Sequence, residues 1–149
     1  MSIKLATPGA NDADWIALRG ALWPGAPHRD LAAEIADMLE RGHFVRVARG
    51  DDGQVAGFVE ASIRNDYVNG TSTSPVAFLE GLYVVASHRR RGVARELVKA
   101  VEAWALAAGC SEFASDSSLA NVEAQEAHRA LGFQETERVV YFRKRIGQP

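Results

Sequence analysis

The most informative segment of the chain is Phe78-Leu-Glu-Gly-Leu-Tyr-Val-Val-Ala-Ser-His-Arg-Arg-Arg-Gly-Val-Ala94. It begins as an apolar run typical of a β-strand, turns at Ser87-His88, and places three arginines where an amphipathic helix must begin. A helix N-terminus carries unpaired N–H groups and a positive dipole end, so it attracts anions. Because Gly92 has no Cβ, a phosphate can approach the backbone there. The segment therefore predicts a pyrophosphate site; an arginine cluster that only solvates a helix start is the alternative.

The spacing of these residues narrows the choice of ligand. The motif Arg89-x-x-Gly92-x-Ala94 resembles the (Gln/Arg)-x-x-Gly-x-(Gly/Ala) loop of the GNAT superfamily, which binds the pyrophosphate of acetyl-CoA. Nucleotide hydrolases and dinucleotide-binding folds are disfavoured, because neither of their glycine motifs is present. In GNAT proteins the backbone of the preceding strand pairs with the pantetheine amides, and an N–H polarises the thioester carbonyl. The cofactor contacts that the resemblance implies here are Leu82, Tyr83, Val84, Arg89, Arg90, Arg91, Gly92, Val93, Ala94 and Arg95.

Composition places the chain among ordinary globular proteins. Its 149 residues fit one domain, 1–149, and the hydrophobic fraction is 47%. The net charge of −2 argues against a nucleic-acid binder, so the arginines form a local patch. The single cysteine, Cys110, excludes an internal disulfide and a cysteine metal cluster, and we expect it to be buried. No apolar leader or membrane-length run is visible, so we expect a cytoplasmic protein. We expect no metal.

The order of the predicted elements indicates an α/β protein with a mixed sheet. Strands are predicted at 3–6, 44–48, 55–64, 76–85, 112–116 and 133–146, and helices at about 12–22, 29–41, 93–108 and 121–131. The late strand–helix–strand crossover requires a parallel pair, whereas the hairpins are antiparallel. This order also resembles the GNAT fold, in which two central parallel strands splay apart and admit the pantetheine arm.

A second signature lies in the last predicted helix. Residues 121–133 resemble a later GNAT motif, in which Asn121 and the residue four before Gly132-Phe133 face the cofactor. Asn121 is equally suited to be the helix N-cap, and the two roles are compatible. Many GNAT enzymes have a tyrosine acid four residues before Gly-Phe, where this chain has His128. Imidazolium can protonate the departing thiolate, but a purely structural histidine is the alternative.

A narrower resemblance covers nearly the whole chain and is densest after Val59. The segments Trp23-Pro24, 60–64, 67–71, Ser74-Pro75, 78–81, 112–116 and 132–137 resemble the short, single-domain aminoglycoside 6′-N-acetyltransferases. The resemblance implies acetyl transfer from acetyl-CoA to the 6′-amine of these antibiotics within a ternary complex, and hence resistance. It also implies a homodimer, for which a C-terminal strand at Val139-Val-Tyr-Phe142 offers an interface; burial within one chain explains that strand equally well.

The acceptor site that this resemblance implies suits a polycation. Its substrate contacts are Trp23, Tyr67, Glu80, Asp116 and Glu137, which combine carboxylates with flat walls for sugar rings. Glu80 is the candidate base, acting directly or through water. Each carboxylate taken alone could be a surface group, and Trp23 could simply pack in the core. Acetylation of another amine, such as a polyamine or a protein N-terminus, and a non-catalytic acyl-CoA-binding regulator are the alternative functions.

Overall fold

The computed structural model describes residues 2–25 and 31–149. Its elements are β1 (Lys4–Ala6), α1 (Ala13–Leu22), α2 (Leu31–Glu40), β2 (Phe44–Arg49), β3 (Val55–Arg64), β4 (Val76–Val84), α3 (Val93–Ala107), β5 (Phe113–Ala114) and α4 (Val122–Ala130), with a 3₁₀ turn at Ala86–His88. The predicted start of the second helix near Arg29 lies outside the described residues. The chain divides into two compact units, Met1–Asp116 and Ser117–Pro149.

Five strands in the order β1-β2-β3-β4-β5 form the sheet of the first unit. The pairs from β1 to β4 are antiparallel, and β4 pairs with β5 in parallel. This arrangement confirms the predicted mixed sheet. The helix α3 connects the parallel strands β4 and β5, as the crossover argument requires.

Helices cover both faces of this sheet. On one face Trp15 of α1 and Ile35 of α2 pack against Val45, Val47 and Phe58 of the central strands. On the other face Trp104 of α3 lies with its ring centroid 5.1 Å from that of Phe44. Burial of these apolar side chains is the main stabilising term of the unit. The cavity described below lies on the face covered by α1 and α2.

Local sequence signals fix where the elements begin and end. Asp12 caps α1, and its carboxylate accepts a hydrogen bond of 3.0 Å from the backbone N–H of Trp15. Gly53 closes the β2–β3 hairpin with a φ of +77°. None of the helices in the described part of the chain is both long and apolar enough to cross a lipid bilayer.

The predicted last strand is wrong. Residues 133–149 contain no strand in the described structure, and Val139-Val-Tyr-Phe142 carries side chains that are 46% to 92% exposed. An extended segment becomes a strand only when a neighbouring strand edge pairs with its backbone, and the sequence pattern does not report whether such an edge is available. The segment Val139-Val-Tyr-Phe142 is therefore apolar, as the pattern indicates, but it forms no strand in the single chain.

Candidate active site

The predicted pyrophosphate site corresponds to the turn between β4 and α3. Gly92 is the N-cap of α3 with a φ of +82°, and no side chain among the described residues caps this helix end. A Cβ at Gly92 would meet nothing within 4 Å, so the positive φ is what requires glycine there. The exposed helix start is therefore suited to an anion that takes the place of a capping side chain.

The arginines of this turn do not all point outward. The Nε of Arg89 donates a hydrogen bond of 3.0 Å to the carbonyl oxygen of Val84, and its guanidinium lies 5.8 Å from the centroid of the Tyr83 ring. Arg89 thus ties the turn to the end of β4. Arg90 has a φ of +62°, an uncommon conformation for a residue with a Cβ.

The two parallel strands separate beside this turn. β5 pairs with β4 only at Ala77 and Phe78. Beyond Phe78, β4 continues to pair with β3 as far as Val84, while no strand in the described ranges lies on its other side. The backbone of Leu82, Tyr83 and Val84 is therefore left with one unpaired edge. An extended amide chain can pair with such an edge as an added strand would.

A cavity of about 780 Å³ lies between the ends of α1 and α2 and the central strands. Trp23 and Glu80, two of the predicted acceptor contacts, both line it. Four carboxylates and two guanidiniums in its wall leave two negative charges when its histidine is neutral. These ionisable residues are Arg19, Glu34, Asp37, Arg41, His43, Glu60 and Glu80. The cavity is therefore suited to a cationic ligand.

Glu80 owes its position to a β-bulge. Glu60 of β3 lies opposite Gly81, whereas the next residue, Ala61, lies opposite Leu79, so Glu80 is an extra residue in β4. Its carboxylate accepts hydrogen bonds of 2.5 Å from the hydroxyl of Ser62 and 3.0 Å from Nη2 of Arg64. These two bonds hold the carboxylate at the cavity wall while its side chain keeps 28% of its surface exposed.

Trp23 packs directly on the bulged strand. A Cβ built on Gly81 would lie 2.6 Å from the Cη2 atom of Trp23, so only glycine leaves room for the indole. The ring also meets Phe58 edge-on, with the centroids 6.2 Å apart. Trp23 is nevertheless 36% exposed. It is therefore part of the cavity wall as well as of the packing.

A buried ion pair lies beneath Trp23. Arg19 is 6% exposed and Glu60 is 2% exposed, and Nη1 of Arg19 lies 2.5 Å from Glu60. The indole N–H of Trp15 donates a second hydrogen bond to Glu60 at 2.9 Å. This pair was not predicted from the sequence. The signal was present, because Glu60 interrupts an apolar strand and Arg19 is four residues after Trp15, on the apolar face of α1.

His43 is a further cavity residue that sequence analysis missed. Its Nδ1 is buried without a hydrogen-bond partner in the described structure. Burial lowers the pKa of His43 below 6.5, and Arg41 lowers it further, although Glu80, Glu60 and Asp37 act in the opposite direction. The imidazole is therefore neutral at pH 7, and the cavity retains its negative charge.

A sequence profile of the Acetyltransferase (GNAT) family matches residues 13–133, which is most of the chain. The chain belongs to the GNAT family. Among GNAT members, the aminoglycoside N(6′)-acetyltransferase type 1 of Serratia marcescens is 50% identical over 134 residues, covering 89% of this chain and 92% of that protein. The protein of the same name from Acinetobacter genomosp. 13 is 52% identical over 136 residues, covering 91% and 92%.

Solved GNAT structures agree with these relatives. The aminoglycoside 6′-N-acetyltransferase AAC(6′)-Ih from Acinetobacter baumannii superposes with a TM-score of 0.91 at 46% identity, covering 98% of this chain and 100% of that one. AAC(6′)-Iy in complex with the bisubstrate analog CoA-S-monomethyl-acetylneamine gives 0.88 at 44% identity, covering 97% and 99%.

These matches confirm several predictions. The GNAT fold, the resemblance to the aminoglycoside 6′-N-acetyltransferases and the predicted acyltransferase class are confirmed. The enzyme transfers an acetyl group, and acetyl-CoA is its cosubstrate. The roles of individual residues are not tested by the matches and stay predictions.

The structure brings together only some of the predicted acceptor contacts. Trp23 and Glu80 share the cavity, whereas Tyr67 lies 74% exposed in the loop at 65–75 and is not part of the cavity wall. Asp116 is exposed after β5, and Glu137 is exposed in the second unit. The assigned roles of Tyr67, Asp116 and Glu137 remain predictions.

The two predicted residues of α4 each have a local role. Asn121 caps the helix, with Oδ1 accepting a hydrogen bond of 3.0 Å from the N–H of Ala124. Nδ1 of His128 lies 2.6 Å from the carbonyl oxygen of Ala124, and its ring meets Phe133 edge-on at 5.3 Å. Because Nδ1 is then the protonated nitrogen in the neutral ring, Nε2 is the atom that would exchange a proton.

Proposed function

We propose that this GNAT enzyme acetylates the 6′-amino group of aminoglycosides by direct attack within a ternary complex, and so confers resistance. The cavity that joins Trp23, Glu80 and an excess of negative charge carries the proposal. An aminoglycoside is a hydrophilic polycation, so it needs carboxylates for its ammonium groups and a flat wall for a sugar face. The relatives named above carry this activity in their names.

Glu80 is the proposed base for this reaction. Its carboxylate takes a proton from the 6′-ammonium, directly or through water, and frees the nitrogen lone pair for attack on the acetyl carbonyl carbon. Acetyl-CoA supplies that carbonyl as a thioester. A backbone N–H of β4, at residues 82–84, stabilises the resulting oxyanion. The nitrogen loses its second proton to solvent, the carbon–sulfur bond breaks, and His128 is the proposed donor of a proton to the sulfur.

The acceptor assignment is tested by thiol release from acetyl-CoA in the presence of kanamycin, spermidine or a peptide with a free N-terminus. Turnover with kanamycin well above that with the other amines is expected. Faster turnover with spermidine or the peptide would overturn the aminoglycoside assignment. Thiol release with none of the three, despite acetyl-CoA binding, would favour the non-catalytic regulator.

The role of Glu80 is tested by Glu80→Gln beside Glu102→Gln, which alters an exposed carboxylate on α3. Because general bases typically contribute about 10²–10⁴ in rate, Glu80→Gln should lower kcat for kanamycin by roughly that factor. The Michaelis constant for acetyl-CoA should stay unchanged in both variants. A kcat for Glu80→Gln equal to that of Glu102→Gln would exclude Glu80 as the base.

We also propose that the enzyme is a homodimer and that it works in the cytoplasm. Support for the dimer comes from Val140, Tyr141, Phe142 and Ile146, which are between 74% and 95% exposed. A run of apolar side chains this exposed is typical of an interface. Light scattering should give twice the chain mass for the wild type, and Phe142→Asp should shift it toward the monomer. A monomeric wild type at micromolar concentration would contradict the dimer.

A further inference from the structure

We propose that Arg19 is a positioning residue for the acceptor: it holds the indole of Trp23 as a flat wall on which the apolar face of an aminoglycoside sugar rests. This inference rests on the proposed function and goes beyond it, because it assigns a specificity role to a buried ion pair. The residues involved are Arg19, Trp23, Glu34 and Glu60.

The contacts of Arg19 join three elements and Trp23 at one point. The guanidinium belongs to α1; it pairs with Glu60 of β3 at 2.5 Å and, through Nη2, with Glu34 of α2 at 2.9 Å. Its central carbon lies 5.0 Å from the centroid of the Trp23 ring. A guanidinium is planar, and two opposed carboxylates fix its orientation, so the cation beneath the indole has one position.

Trp23 is fixed between this cation and the sheet. Its ring edge lies against Gly81 of β4 and its side meets Phe58, as described above. Trp23 is the C-cap of α1: its backbone N–H donates a hydrogen bond of 2.9 Å to the carbonyl oxygen of Arg19, which fixes the main chain but not the torsions of the side chain. The cation–π contact with Arg19 therefore supplies an orientation that the backbone alone does not impose.

The position of the Arg19 guanidinium determines which part of the acceptor lies on Trp23. Arg19 already interacts with the π electrons of the ring from its buried side, so the exposed face is a weaker cation–π partner for an ammonium, and an apolar C–H face of a sugar is favoured there. The ammonium groups are directed instead to the carboxylates of Glu80 and Asp37 in the same cavity. A Trp23 ring without Arg19 beneath it would lose this discrimination.

A double-mutant cycle tests the coupling of Arg19 to Trp23. Arg19→Lys keeps the charge and loses the two-armed geometry, and we expect it to raise the Michaelis constant for kanamycin about tenfold while that for acetyl-CoA stays unchanged. In a Trp23→Ala background the same substitution should change the Michaelis constant for kanamycin less than about twofold. Equal effects in both backgrounds would overturn the proposal.

Arg49→Lys is the matched control. Arg49 pairs with Asp14 at 2.6 Å and so also links α1 to the sheet, but it does not line the cavity. Its Michaelis constants should match those of the wild type. If Arg19→Lys does not fold, Glu34→Gln replaces it in the cycle, because Glu34 is 32% exposed and its loss leaves the Arg19–Glu60 pair intact. Glu34→Gln should then also change the Michaelis constant for kanamycin less in the Trp23→Ala background than in the wild type. Equal changes in the two backgrounds would overturn the proposal.

A readout independent of turnover separates this proposal from the acceptor assignment. The chain has three tryptophans, so protein labelled with 5-fluorotryptophan gives three ¹⁹F signals, and Trp23→Phe assigns one of them. Arg19→Lys, or Glu34→Gln in its place, should shift or broaden the Trp23 signal, and Arg49→Lys should not. An unchanged Trp23 signal overturns the role of Arg19 even if kanamycin is acetylated. A changed signal in an enzyme that acetylates no aminoglycoside would instead overturn the acceptor assignment alone.

Discussion

Gly81 and the indole of Trp23 occupy a space that has no room for an additional methyl group. The Cβ of an alanine at position 81 would lie 2.6 Å and 2.8 Å from two ring carbons of Trp23 and 3.1 Å from a methyl carbon of Leu22. Because both neighbours belong to the end of α1, the added carbon must displace that end from β4. The shape of the cavity therefore depends on residue 81 being glycine, which has no Cβ.

We expect Gly81→Ala to raise the Michaelis constant for an aminoglycoside and to lower the free energy of unfolding by about 1–3 kcal/mol, a typical cost of overpacking. Urea unfolding and steady-state kinetics measure the two effects. Gly20→Ala is the control, since a Cβ at Gly20 meets nothing within 4 Å and the residue lies inside α1. It should leave kinetics unchanged and should not destabilise. A Gly81→Ala enzyme with wild-type kinetics would contradict the close packing.

Asn121 combines a cap with a predicted cofactor contact, and the two can be separated. Asn121→Ala and Asp12→Ala each remove a capping side chain, so each should lower the free energy of unfolding by about 1 kcal/mol. Only Asn121→Ala should also raise the Michaelis constant for acetyl-CoA. Equal acetyl-CoA kinetics in both variants would mean that Asn121 acts as a cap and nothing more.

Among the helices and strands, the start of α3 depends on a glycine in the left-handed conformation. Gly92 and Gly53 share the same unusual backbone, with φ values of +82° and +77°, and both would place a Cβ in open space. They differ in location, because Gly92 begins a helix and Gly53 closes a hairpin. This pair separates the conformational cost of a substitution from its effect on an anion site.

Gly92→Ala and Gly53→Ala should each cost about 1–2 kcal/mol of stability, since each puts a side chain in the left-handed region. Only Gly92→Ala should raise the Michaelis constant for acetyl-CoA severalfold, because its Cβ obstructs the approach of the pyrophosphate to the helix N-terminus. Thermal unfolding and kinetics at saturating aminoglycoside give the two quantities. An equal change in the acetyl-CoA constant for both variants would remove the pyrophosphate from this turn.

For the chain as a whole, the buried histidine makes stability depend on pH. Burial lowers the folded-state pKa of His43 below its unfolded value of 6.5. Between these two values the unfolded chain binds a proton that the folded chain does not, so the free energy of unfolding falls as the pH drops below 6.5. Above pH 6.5 His43 is neutral in both the folded and the unfolded chain, so its contribution to the free energy of unfolding is constant.

His43→Gln should therefore reduce the loss of stability between pH 7 and pH 5.5 compared with the wild type. Urea unfolding at a series of pH values measures this difference, and the comparison at pH 8 is its control. The surrounding charges, Glu80, Glu60 and Asp37 against Arg41, are present in both proteins. Parallel pH profiles for the two proteins would show that His43 is not held neutral by burial.

The sequence by itself determined most of the elements and the glycine turn that begins α3. Asp12, Gly53 and Gly92 act through their own backbone or its near neighbours, and the spacing of Trp15, Leu18 and Leu22 reports one helix face. Such signals are local, so they can be read without knowing what packs against them. The motif around Glu80 was likewise visible, although its bulge was not.

Only the tertiary structure decided which side chains share the cavity. Arg19 and Glu60 are separated by 41 positions and meet at 2.5 Å, and His43, the residue just before β2, lines the same cavity. The same information was missing for Val139-Val-Tyr-Phe142, whose apolar pattern predicts a strand but does not reveal a partner edge. Pairing between distant segments depends on which strands lie side by side, and periodicity within one segment carries no record of that.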